Sequence, residues 1–182
     1  MRRLFALLAF FALPVAAAGE ARVSVCHGYS CVAQAEIVYS AAQLDEIRRL
    51  LLAAADAPGE RDALAEVVGR LYRWGGEQSA IASDRAGNFS DGDGVGRMDC
   101  IDHSTSTTRL LHLLGERKWL RWHRVLEPQA RYFLGLIANH WSAVIEASDG
   151  ERYVVDSWFV NNGEPAVILP LDEWKKGAGP DV

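Results

Sequence analysis

The sequence predicts an α+β fold, with N-terminal helices packed on a C-terminal antiparallel β-sheet. Helical periodicity is concentrated between residues 41 and 74 and again after residue 100. Alternating apolar residues and hairpin turns dominate after residue 120. No internal repeat or linker divides the chain, so the helices and the sheet belong to one unit.

The elements follow in order. Ala21 to Cys26 alternates through Val23 and Val25, and Cys31 to Tyr39 is strand-like, which gives an N-terminal hairpin. Ser40 is an N-cap for a helix from Ala41 to Ala55, with Leu44, Ile47 and Leu51 on one face. Pro58 and Gly59 break it. A second helix runs from Glu60 to Trp74, and Gly75-Gly76 ends it. Residues 77–97 lack periodicity and are rich in Gly and Asp. Asp91 and Asp93 open a stretch like the start of a calcium loop, but Val95 stands at a ligand position, so they are weak calcium candidates. A helix from Cys100 to Leu114 comes next. Leu120 to Leu126 reads as a strand closed by Glu127-Pro128, with His123 on an exposed face beside Arg residues. Arg131 to Asn139 fits a strand or a helical turn. His140 to Ala147 is a strand, Ser148-Asp149-Gly150 a hairpin loop, and Glu151 to Phe159 the returning strand. Ala166 to Leu169 is a short strand and Leu171 to Lys175 a terminal helical turn.

Arg2-Arg3, the apolar run Leu4–Leu13 and Ala16-Ala17-Ala18 have the pattern of a secretory signal peptide over residues 1–18, leaving 19–182 as a single domain. The run is short of the roughly 20 apolar residues that span a bilayer. The expected location is therefore periplasmic or secreted, without a stable membrane span after cleavage. The formal charge is −5, and loss of Arg2 and Arg3 takes it to −7. Basic residues are scattered on an acidic chain, which argues against a nucleic-acid partner.

Three cysteines in an exported chain leave one unpaired. Cys26 and Cys31 flank the turn-like His27-Gly28-Tyr29-Ser30 and are the expected disulfide; pairing of either with Cys100 is the alternative. Cys100 lies at the first turn of a helix, where aligned N–H groups favour a thiolate. Asp99 is the N-cap and Asp102 the capping-box acid, and both repel a thiolate. A basic partner must come from elsewhere.

Of five histidines, His103 lies three residues on, on the same helix face, and is a rival base. His112 is three turns away. His27 sits in the disulfide loop. His140 begins an apolar strand beside Trp141. A three-residue loop at Ser148-Asp149-Gly150 pairs Ala147 with Glu151, His140 with Trp158 and Ser142 with Asp156. His140 and Asp156 then point to one face as diagonal neighbours. A two-residue turn would put them on opposite faces. Nucleophile, base and orienting carboxylate would form a Cys100–His140–Asp156 triad.

These residues resemble a known family. Asp99-Cys100-Ile101-Asp102 at a helix start, His140-Trp141 on a strand and Val155-Asp156 on the next are similar to the transglutaminase-like (papain-like) cysteine enzyme superfamily, nearest to bacterial transglutaminase-like cysteine proteinases. The resemblance spans about residues 74–159. It implies a transglutaminase-like core, with Cys100 as nucleophile, His140 as base and Asp156 as orienter. The polar run His103-Ser104-Thr105-Ser106-Thr107-Thr108 departs from the small apolar helix usual in the family. For the oxyanion, the Cys100 N–H is one donor, and Gln78 or the Trp74 indole is a candidate second.

The expected activity is an exported thiol-dependent hydrolase or acyltransferase on amide bonds, a peptidase, amidase or transglutaminase-type enzyme. It would need no cofactor and act on a protein or peptide in the cell envelope. The alternative is a non-catalytic exported binding module of the same fold. A zinc site of Cys100, His103 and a distant histidine lacks a second closely spaced ligand pair, and no metal is expected.

Overall fold

A computed structural model of the chain describes residues 19–89, 94–133 and 136–181. The signal-peptide expectation for 1–18 and the calcium candidates Asp91 and Asp93 lie outside the described residues. Within them the chain is a mixed α and β structure with four α-helices and two antiparallel sheets.

Strands β1 (Ala21–His27) and β2 (Ala33–Tyr39) form the first sheet, a hairpin with Ala21 opposite Tyr39. Helix α1 (Ala41–Ala53) starts at Ser40, whose side chain accepts from the Gln43 N–H in a full capping box. Helix α2 (Ala57–Gln78) is capped by Asp56, with Pro58 in its first turn, where a missing N–H costs nothing. It runs through Gly75-Gly76 instead of ending there. The reason is space: a Cβ at Gly76 would meet Asn162 Oδ1 at 2.8 Å, and one at Gly75 would meet Ile81 at 3.0 Å. These glycines let other segments approach the helix. A 3-10 turn (Ala80–Ser83) follows.

Helix α3 (Cys100–Glu116) packs on both sheets. The second sheet is a meander of β3 (His123–Phe133), β4 (Ile137–Ala147), β5 (Arg152–Asp156) and β6 (Val167–Pro170), finished by the short helix α4 (Leu171–Lys175). Glu127-Pro128 does not close β3. The strand absorbs it as a bulge between Leu126 and Gln129, where Pro128 has no ladder N–H to lose. A second irregularity falls between Arg131 and Tyr132, opposite Asn139, directly before His140.

The faces of the meander separate two apolar clusters. Ala143, Ile145 and Val155 join the main core with Leu44, Leu64 and Leu110 of the helices. Val144 and Val154 lie on the other face with Trp158, Phe159, Leu171 and Trp174. Among the described residues no helix is long and apolar enough to cross a membrane.

Candidate functional site

The β4–β5 hairpin sets the site. Ala147 N donates to Glu151 O at 2.8 Å, and Gly150 takes φ 89°, the left-handed position that a three-residue loop requires. The register runs Glu146↔Arg152, Ile145↔Tyr153, Val144↔Val154, Ala143↔Val155, the register expected from the sequence, but the ladder stops there and the strand ends at Asp156, short of the expected Ser142–Asp156 and His140–Trp158 pairs and of Phe159. His140 and Asp156 therefore share the face of Val144 and Val154. His140 Nε2 lies 2.7 Å from Asp156 Oδ2, with the two residues 2 % and 1 % exposed.

Asp156 is held from three directions. Trp174 Nε1 donates to Oδ2 at 2.9 Å and the Trp158 N–H to Oδ1 at 3.2 Å, beside the His140 contact. The His140 ring is boxed by Trp158, Phe159 and Trp174, with centroids 4.6, 5.4 and 5.5 Å away. These aromatics exclude water, so the carboxylate is the partner that fixes the ring. Its other nitrogen, Nδ1, is buried and makes no hydrogen bond.

Cys100 is the free thiol, half-buried at the start of α3 and packed against the same aromatic cluster. Cys26 and Cys31 form the disulfide. Burial pushes the Cys100 thiol above its ordinary range, and the Asp99 and Asp156 carboxylates add to the rise. The nearby backbone of Trp141 and of Cys100 itself works the other way. The helix start alone does not make Cys100 a ready thiolate, because desolvation outweighs it.

The backbone of Trp141, the residue after His140, thus acts on the thiol. Arg131, paired with His140 across the β3–β4 ladder, is the nearby cation. Its charge is coupled to both Asp156 and Cys100, although burial lowers its own basicity. Arg131 lies over the Phe159 and Trp174 rings and donates to Ala178 O at 3.2 Å. No family model, curated protein or solved structure matches this chain.

Other expected residues lie elsewhere. Gln78 is committed to β2: it accepts from the Val38 N–H at 2.9 Å and donates to Val38 O at 3.1 Å. Trp74 packs on the main core. Neither is among the groups that act on the Cys100 thiol. His103 is no base for Cys100, because both its nitrogens are occupied: Nε2 faces Asp84 Oδ2 at 3.0 Å and Nδ1 faces Ser157 Oγ at 2.8 Å. The same occupancy removes it from any zinc site. His123 is buried, not exposed, with Nδ1 3.3 Å from Glu60 Oε2. Glu60 also accepts the Arg121 and Trp122 N–H groups. Burial pushes its carboxyl up, but these hydrogen bonds outweigh burial and hold it below the usual range.

The polar run after Cys100 is a buried seam. Thr107 Oγ1 meets Ser157 Oγ at 2.9 Å and Tyr72 OH at 2.9 Å. Ser106 Oγ accepts the Cys26 N–H at 2.8 Å. Asp84, His103 and Ser157 have the hydrogen-bond order of a hydrolytic triad. All three are buried and Ser157 Oγ is shared with Thr107, so they act as a strut joining α3 to the chain that follows Asp156.

The loop inside the disulfide is the feature least expected from sequence. Gly28, Tyr29, Ser30 and Cys31 all have left-handed backbones, with φ 82°, 68°, 54° and 58°. For residues with a Cβ this costs about 1–2 kcal/mol each. The conformation turns consecutive N–H groups onto the two acids around Cys100. Tyr29 N and Cys31 N donate to Asp102 at 2.9 and 2.7 Å, and Ser30 N to Asp99 at 2.9 Å. Both acids also keep their expected capping-box bonds. Cys26 Sγ, Cys31 Sγ and an Asp102 oxygen lie within 4.8 Å of one another. As a disulfide, the two sulfurs offer no thiolate to a metal.

Proposed function

We propose that the protein is an exported thiol-dependent hydrolase or acyltransferase on amide bonds, with Cys100, His140 and Asp156 as its triad and a transglutaminase-like core. The observation that carries this reading is the division of labour at His140. Nε2 is fixed by Asp156 at 2.7 Å, while Nδ1 is buried and unpartnered in the aromatic cluster on which Cys100 packs. A histidine with one nitrogen oriented and the other free is what a general base requires. The Cys26–Cys31 disulfide supports an oxidising compartment.

The resting thiol is neutral. His140 Nδ1 takes its proton as Sγ bonds to the amide carbonyl carbon. The carbonyl oxygen gains charge and meets the N–H groups of Trp141 and Cys100. As the C–N bond breaks, the proton passes from His140 to the leaving amine. The thioester then reacts with water, giving hydrolysis, or with a second amine, giving a new amide.

The test is covalent trapping with a peptidyl fluoromethyl ketone, mapped by mass spectrometry. Labelling of Cys100 that falls by about a hundredfold in His140→Ala, within the range of general base catalysis, supports the reading. Equal labelling in both sinks it. A non-catalytic binding module is the second reading, and one observation favours it: burial with Asp99 and Asp156 holds the thiol protonated.

A further inference from the structure

Asp99 and Asp102 flank Cys100 in the chain, and the Asp99 charge opposes a thiolate there. The loop at residues 28–31 meets both. Its three N–H groups converge as an anion-binding nest, and the anions are the two side chains that cap α3. We propose that this loop is a positioning element of the thiol site, and that the Cys26–Cys31 disulfide makes the site sensitive to dithiol reductants. The inference rests on the thiol chemistry assigned above to Cys100.

The geometry gives the disulfide its leverage. Cys26 lies within β1 and is anchored to α3 through Ser106, whereas Cys31 is part of the left-handed loop. Tyr29, Ser30 and Cys31 are residue types that leave the left-handed region when nothing holds them. The sulfur bond closes the loop that they form, beside the Gly28 N to Arg97 O and Val32 N to Tyr29 O hydrogen bonds. Without the loop, Asp102 keeps only the Asp99 N–H, and Asp99 keeps its bonds from Ile101 N and Asp102 N but loses Ser30. Charge that was shared with N–H donors then acts on Sγ.

The chemistry balances. One thiolate of a dithiol attacks Cys31 Sγ, the half-buried sulfur, and the S–S bond breaks to release the Cys26 thiolate, which takes a proton. The second thiol closes the reductant's own disulfide and frees Cys31. Two electrons and two protons pass to the protein.

The test reads Cys100 by iodoacetamide alkylation across pH, mapped by mass spectrometry on the full chain. The forms compared are the oxidised protein, the protein reduced with dithiothreitol and desalted, and Cys26→Ser/Cys31→Ser. Besides Asp99 at the start of its own helix, the charged groups acting on Sγ are Asp156 on β5 and Arg131 on β3, and the His140 ring on β4 packs in the same aromatic cluster as Cys100. The expected result is a Cys100 rate at pH 8 lower by roughly threefold or more in both opened forms, with the profile moved to higher pH. Asp99→Asn restores the rate in the opened form and changes it far less in the oxidised one. Identical profiles in the two redox states overturn the proposal, as does an equal response to Asp99→Asn in both. So does a Cys100 in the opened form that reacts as fast as in urea, since the disulfide would then only keep the chain folded. His140→Ala separates the two ideas: an alkylation profile indifferent to His140 defeats the hydrolase reading while leaving the coupling to Asp99 intact.

Discussion

Trp174 on α4 and His140 on β4 donate to the same oxygen of Asp156. The terminal helix α4 therefore belongs to the site, although it lies 18 residues beyond the carboxylate. A carboxylate with both oxygens engaged cannot turn away from the imidazole.

Asp156→Asn keeps the size of the side chain but loses the charge that favours an imidazolium. Trapping of Cys100 should fall by roughly a hundredfold or more, with little change in melting temperature. Asp156→Ala should show the same loss and also destabilise, by about 1–3 kcal/mol, because His140 and the Trp174 indole lose their acceptor. Urea titration of both variants separates the two effects.

The thiol has a pH signature of its own. Its folded pKa is raised, so folding favours the protonated form. That contribution to stability is full below the pKa of the unfolded thiol and is lost as pH rises through the folded value. Native Cys100 should alkylate more slowly than in urea at the same pH, below about pH 8.5 most of all. Faster reaction in the native protein would contradict the burial argument.

Arg131 is the cation that offsets the acids near Sγ. Arg131→Gln should push the Cys100 profile further to alkaline pH and slow trapping, while Arg131→Lys should preserve most of both. Stopped-flow alkylation of the three proteins reads this directly.

Glu60 joins α2 to the start of β3 through two backbone N–H groups and His123. Its carboxyl is held below the usual range. The stability it supplies is present above its unfolded pKa and is lost as pH falls through its folded one. Glu60→Ala should cost about 3 kcal/mol at neutral pH, and less in acid, by urea melts at both.

Ser157→Ala removes the middle of the strut from Asp84 to Tyr72. His103 and Thr107 then lose a buried partner, an expected cost of about 1–3 kcal/mol in thermal or urea melts. His103 and Thr107 keep their other contacts, so the native fold should persist.

The sequence was most legible where one residue fixes a backbone. Gly150 supplies the left-handed loop position, and with it the register that sets His140 beside Asp156. Ser40, Asp99 and Asp102 are caps with a single good reading. Legibility failed where tertiary packing decided. The periodicity around Gly75-Gly76 cannot say that Ile81 and Asn162 come close there, so the glycine pair reads as a helix end. Pro128 stops a regular strand but not a bulged one. His103 lies on the face expected, yet its partners come from residues 84 and 157, which no local spacing joins to it. Nor do Tyr29, Ser30 and Cys31 advertise a left-handed turn, since each avoids it alone.

The Gly150 corner of the β4–β5 hairpin faces open space, with nothing within 4 Å of an added Cβ, while Ser148 N donates to Trp122 O at 3.1 Å. Such solvent-facing tips are ordinarily where a chain tolerates gain or loss of residues. Here that tolerance has a limit. A change that lets the Ala147–Glu151 pairing slip by one residue would turn Asp156 to the far side of the sheet from His140 and take Val155 out of the main core with it. Hairpin insertions that keep Ala147 paired with Glu151 should leave Cys100 reactivity intact, and those that let the pairing slip should lose reactivity and stability together.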